Sequence, residues 1–143
     1  MELLKLVALD EEDLAVLSAH LQDAIVKAGD LAFLADQQRF ALVARRFDWE
    51  TAAAEPQRRL SGLHFERVQR VRTRNIDRDR TEEPLNLLAV TFAPGEGPSG
   101  QATLVFADDK AVQLDLECVE VQLKDLGPVW EAGGRPVHDV ERA

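Results

Sequence analysis

Apolar residues recur at two periods along this chain. Residues 4–9 are largely apolar on both parities, Lys5 excepted, and predict a short strand. Asp10 then offers a helix N-cap, and Glu11, Glu12 and Asp13 place negative charge at the positive end of the helix dipole. Leu14, Leu17 and Leu21 follow at i, i+3 and i+7, so the spacing predicts an amphipathic helix over 11–22.

From residue 24 the period shortens. Ile25-Val26-Lys27 and Leu31-Ala32-Phe33-Leu34 flank Gly29-Asp30, and Asp36-Gln37-Gln38 leads into Phe40-Ala41-Leu42-Val43. These runs predict hairpin-paired strands. Phe40 and Leu42 share one parity while Val43, Phe47 and Trp49 share the other, and a β-bulge near Leu42-Val43 would reconcile them. Residues 85–92, 103–106 and 112–116 predict further strands, separated by a Gly/Pro-rich loop and by Asp108-Asp109-Lys110. Residues 63–76 fit either a strand or a helix. Beyond Glu117, Val119, Leu123 and Leu126 fit a helix near 118–126 closed by Gly127-Pro128, against a continuing strand alternation; we take the helix.

The expected class is α+β. It comprises a mainly antiparallel, curved sheet of about seven strands that admits barrel-like closure, helix 11–22 and the C-terminal helix. Residues 1–132 should form one globular domain and 133–143 a flexible tail, since 143 residues suit a single core. A single cysteine, Cys118, excludes an intramolecular disulfide framework and suits a reducing compartment. With neither a signal-peptide layout nor a membrane span, the expected location is the cytoplasm.

Charge changes the picture. The formal net charge is −9, yet residues 58–80 hold eight arginines against three acids, a surplus of five positive charges. Arg70, Arg72 and Arg74 share a face if the segment is extended; Arg67, Arg70 and Arg74 share one if it is helical. Arginine's planar fork suits phosphate and carboxylate oxygens, so this stripe is a candidate anion or acidic-partner site. The competing expectation, the weightier one, is cross-strand pairing with acids such as Asp115, Glu117 or Glu120. Nucleic acid is disfavoured, because Phe65 is the sole aromatic nearby and no stacking platform exists.

Other candidates are weaker. His20, His64 and His138 are widely spaced and no metal-ligand motif accompanies them, so neither metal nor cofactor is expected. Cys118, among Glu117, Val119 and Glu120, reads as a buried structural thiol. Asp48 and Glu50, with His64, would be the residues of a small pocket, although a polar strand end around a core Trp49 is the plainer reading. Trp130, just past a chain stop, would dock the C-terminus or anchor a partner beside the arginines.

Several runs recur together in one order: Leu4–Leu14, Ser18–Ala24, Arg39–Val43, Arg46–Glu50, Leu116–Glu120 and Asp125–Pro128. In that order the chain resembles a bacterial family known as domain of unknown function 2948. The resemblance implies a small cytoplasmic protein and transfers no activity, cofactor or catalytic residue. The expected function is therefore a non-enzymatic binding or adaptor protein whose arginine face holds an acidic protein or anionic ligand. The alternatives are a phosphate- or carboxylate-binding protein or enzyme with a curved-sheet pocket, and a structural homodimer.

Overall fold

In a computed structural model, residues 4–47 and 57–131 are described. Their strands are β1 (Lys5–Ala8), β2 (Ala24–Lys27), β3 (Ala32–Leu34), β4 (Arg39–Phe47), β5 (Gln57–Phe65), β6 (Val68–Arg74), β7 (Pro84–Pro94), β8 (Gly100–Phe106), β9 (Lys110–Leu116) and β10 (Val121–Glu131). One α-helix, α1 (Glu11–His20), precedes β2. The strands make a single antiparallel sheet in the order β1-β10-β5-β4-β2-β7-β8-β9-β6, with β3 attached to β4.

The α+β class, the N-terminal helix and the antiparallel sheet match expectation; the described sheet has ten strands where about seven were expected, because β5, β6 and β10 pair as strands as well. Helix α1 starts where the cap predicts, since Asp10 Oδ1 accepts a hydrogen bond from the Asp13 amide at 2.8 Å. It ends at His20 rather than 22, because Leu21 N bonds Ser18 O and Asp23 (φ 67°) reverses the chain into β2. Leu14, Leu17 and Leu21 are each at most 1% exposed. The Ser18 hydroxyl accepts from Val90 N at 2.8 Å, tying the helix to β7.

The second helix is absent. Residues 121–131 are the strand β10, with Val121, Leu123 and Asp125 inward on a period of two. Val119, Leu123 and Leu126 mimic a helical stripe by coincidence: Val119 belongs to the preceding bend, and Leu126 is half exposed. The bulge near Leu42-Val43 is also absent. Register runs unbroken from Phe40↔Phe65 to Phe47↔Arg58, and Phe40, Leu42, Ala44 and Arg46 point inward together. Expecting a bulge amounts to keeping Arg46 out of the core.

Nor is the sheet a closed barrel. Its terminal strands, β1 and β6, share no ladder. The segment 63–76 is extended, and β5 and β6 are two halves of one long arm that bends at Glu66-Arg67, where Arg67 has φ 60°. The facing arm, β9 and β10, bends at the same level through Glu66 N to Glu120 O and Glu117 N to Arg67 O. Below the bend β5 has both β10 and β4 as neighbours; above it β6 has only β9. Strand β4 cannot extend alongside β6, because Gln38 (φ 52°) turns the preceding chain away into the β3 hairpin. A single bond, Val68 N to Gln38 O, marks where the two part.

The core lies on the inward parity of the strands: Leu63 and Phe65, Leu85 and Leu87, Leu104 and Phe106, Val112 and Leu114, and Leu123. Burial of each large side chain contributes roughly 1.5–3 kcal/mol. Truncation of Leu17 to Ala, which removes a 1%-exposed side chain, should lower stability by about 2–5 kcal/mol. Asp10→Ala should cost about 1 kcal/mol. Urea unfolding of the two variants should reproduce that ranking.

Candidate functional site: an arginine-lined sheet edge and a buried arginine–carboxylate cluster

Extension of 68–74 settles which arginines align. A register shift between Val68 and Arg70 lets Val68 and Val71 both face inward and turns Arg70, Arg72 and Arg74 to the exposed face. Arg72 donates to Gln113 Oε1 and Asp115 Oδ2, both at 2.7 Å. Gln101 holds the other Asp115 oxygen at 3.0 Å. Arg74 lies 3.3 Å from Asp109, and Arg67 lies 3.5 Å from Glu120 and 3.9 Å from Glu117. The arginines thus form an ion-paired, charged surface, largely as cross-strand pairing predicts. No ion pair among the described residues engages Arg70, Arg78 or Arg80.

Two cavities adjoin this strand. One, of about 350 Å³, lies on the exposed face between Arg72, Arg74, Thr103, Lys110 and Gln113. The other, of about 200 Å³, lies beside the bare edge of β6, and Leu31, Phe33, Phe40, Val71 and Ile76 line it with Arg78. Residues 75–83 lie along that second cavity and are pinned by Gly29 N to Thr81 O (2.8 Å) and Ala28 N to Glu83 O (2.9 Å). A Cβ on Gly29 would sit 2.7 Å from Thr81 Cβ, so the close approach requires glycine.

The remaining predicted site residues are dispersed. His64 Nδ1 lies 2.7 Å from Glu66 Oε2, which also accepts from Arg39 Nε at 2.8 Å, so this histidine belongs to a polar cluster of β4, β5 and the bend that follows β5. Neither cavity includes His64 or His20. Asp48, Trp49, Glu50 and His138 lie outside the described residues. The backbone of Trp130 pairs with Arg58, at the other end of the long arm from β6. Cys118 is only partly buried, in the bend between β9 and β10. Among the described residues no group of three or more His, Cys, Asp or Glu could hold a metal ion. No described helix is long and apolar enough to cross a membrane.

Sequence reasoning missed a second arginine site. Arg46 (3% exposed), Arg59 (4%), Ser61 (0%) and Asp125 (2%) are buried together on β4, β5 and β10. Arg46 grips Asp125 with both tines, Nε to Oδ1 at 3.0 Å and Nη2 to Oδ2 at 2.9 Å. Ser61 Oγ donates to Oδ1 at 2.6 Å, the Leu4 amide donates to Oδ2 at 2.8 Å, and Arg59 Nε lies 3.8 Å away. Burial alone would raise the Asp125 pKa; the hydrogen bonds from Arg46, Ser61 and Leu4 and the Arg46 charge overcome it and hold the carboxyl below its usual range. Next to it, Arg58 stacks 3.8 Å from the Phe47 ring centroid and donates to Arg45 O at 2.9 Å. Burial lowers its pKa, and Asp23 partly restores it. The signal was present: Arg46, Arg59 and Asp125 stand on the parity of Phe40-Leu42, Leu63-Phe65 and Val121-Leu123.

A family model described as Protein of unknown function (DUF2948) matches residues 4–138. The chain belongs to the DUF2948 family. That span takes in both arms, the bare edge of β6 and the Asp125 cluster, so this DUF2948 fold carries both arginine sites within the matched region. Comparison with curated proteins and with solved structures finds no match.

Removal of the Asp125 carboxylate strands Arg46 without its partner, so Asp125→Ala should destabilise the fold by about 3–5 kcal/mol. Because the folded pKa lies below the unfolded one, the unfolded chain binds the extra proton in acid. The contribution is complete above the ordinary carboxylate pKa of about 3.9 and is lost as pH falls through the lower, folded value. Urea unfolding across the acid range should show a steeper loss of stability for wild type than for Asp125→Asn.

Proposed function

We propose that the protein is a non-enzymatic binding or adaptor protein whose arginine-bearing strand β6 engages an acidic protein partner. The observation that carries this reading is the exposed row Arg70, Arg72 and Arg74 at a sheet edge, in a chain of net charge −9. Arg70, Arg78 and Arg80 supply charge that no described acid pairs. The Arg74–Asp109 pair is exposed, its side chains 67% and 77% accessible, whereas Asp115, held by Arg72 and Gln101, is half-buried. Exposed pairs are worth roughly 0–1 kcal/mol, so an incoming carboxylate exchanges for Asp109 at little cost. Two oxygens arriving in a plane gain the bidentate geometry that arginine favours. A local basic stripe on an acidic molecule also orients encounter, which raises the association rate at low salt. The protein would do this work in the cytoplasm, where a single unpaired cysteine is stable.

The test compares wild type with a variant carrying Arg70→Glu, Arg72→Glu and Arg74→Glu, after circular dichroism shows both folded. Both are used as bait in cell lysate at two salt concentrations, and captured proteins are quantified by mass spectrometry. Wild type should retain acidic proteins that the variant loses and that higher salt weakens. Identical captures from the two baits would return these arginines to structural ion pairing alone.

A further inference from the structure

We propose that the bare edge of β6 and the cleft beside it take up an extended acidic peptide of another protein as an added strand. This rests on the binding reading above and specifies its geometry.

The first ground is the backbone. Strand β6 has β9 on one side only, since the chain leaves β4 at Gln38. Beyond the Val68 bond, the opposite side of Gln69–Arg74 carries no ladder among the described residues. Unpaired strand N–H and C=O groups are a template for another strand, and peptide recognition by strand addition uses them for affinity. The second ground is the cleft. Leu31, Phe33 and Phe40 stand on the β3–β4 side, Val71 and Ile76 on the β6 side, around about 200 Å³. This is smaller than the roughly 300–1,000 Å³ of a site for a drug-sized molecule and suits one apolar side chain. Side chains alternate along an added strand, so one residue fills the cleft while its neighbours turn to the arginine face.

Charge selects the occupant. Arg70, Arg72 and Arg74 on the exposed face and Arg78 at the cleft call for carboxylates. A second copy of this chain pairing through the same edge would set arginine against arginine, which is unfavourable directly across a ladder. Edge charges also deter indiscriminate pairing, and an edge that served only that purpose would show no preference for acidic peptides.

The test selects binders to the full chain from a display library of random decamers, then measures amide hydrogen exchange with a selected decamer bound. The selected decamers should alternate acidic residues with an apolar one and should slow exchange within Gln69–Arg74. Phe33 is 37% exposed, so Phe33→Asp should leave the fold intact while weakening binding about tenfold, the effect of roughly 1.4 kcal/mol. Arg70→Glu should relax the preference for acids. Should Phe33→Asp fail to fold, the exchange pattern on wild type decides alone. Acidic decamers that bind through the arginines without protecting Gln69–Arg74 would overturn strand addition and leave the binding reading standing. Decamers without acids, or no binder at all, would overturn both. Equal protection by inorganic phosphate, by an oligonucleotide, or by raising the protein concentration would overturn the peptide assignment in favour of an anion, a nucleic acid or a second copy.

Discussion

A carboxylate shut away from water holds this fold together at one end. Asp125 accepts hydrogen bonds from β4 through Arg46, from β5 through Ser61 and from the residue before β1 through Leu4 N, while it stands on β10 itself. Four segments remote in sequence therefore meet on two oxygen atoms. An isolated buried charge would cost several kcal/mol; here the bidentate arginine and the two further donors offset that cost. A fork that fits one carboxylate in one orientation ties β4 to β10 across β5, and removal of either partner would leave the other charge buried and uncompensated.

With the lower halves of the arms locked there, the upper halves are set by the bend. Arg67 occupies left-handed backbone space, and the exchange of bonds among Glu66, Arg67, Glu117 and Glu120 turns both arms at one level. Gln38 diverts the neighbouring strand at the same height. The exposed arginine row and the apolar cleft are thus by-products of where three chains bend. The arginine row sits on a strand, which gives its spacing precision, whereas Leu31, Ile76 and Arg78 bring residues from between the strands to the cleft.

Most of the strand content was legible because alternation is a local signal. Leu63, Phe65, Leu104, Phe106 and Leu114 declare their faces without reference to any partner. Helix α1 was legible for the same reason, through Asp10 and the leucines at i, i+3 and i+7. What failed depended on partners far away in sequence. Val119, Leu123 and Leu126 satisfy a helical spacing while Leu114, Leu116 and Cys118 continue a strand alternation; pairing of β10 with both β1 and β5 decides for the strand. Arg46 and Arg59 look like surface residues until Asp125, from the far end of the chain, arrives beside them. Closure of the sheet turns on Gln38, a residue whose left-handed backbone no hydrophobic pattern announces. The arginine face was visible in outline, while its division into paired and unpaired members required the acids of β9 and its turns.

The pairing of β1 with β10 also bears on how the protein is made. Lys5 lies opposite Lys124 and Ala8 opposite Val121, so the earliest strand has no ladder until nearly the latest has been synthesised. Sheets built on such distant contacts fold slowly, because the intervening chain must be ordered before the contact rewards it. During that interval β5 and β6 are out of the ribosome while β9 and β10 are not, and their edges are open to other nascent chains. Charge along an open edge works against pairing of like segments, so the arginine spacing of that arm bears on the unfinished chain as well as on the finished surface.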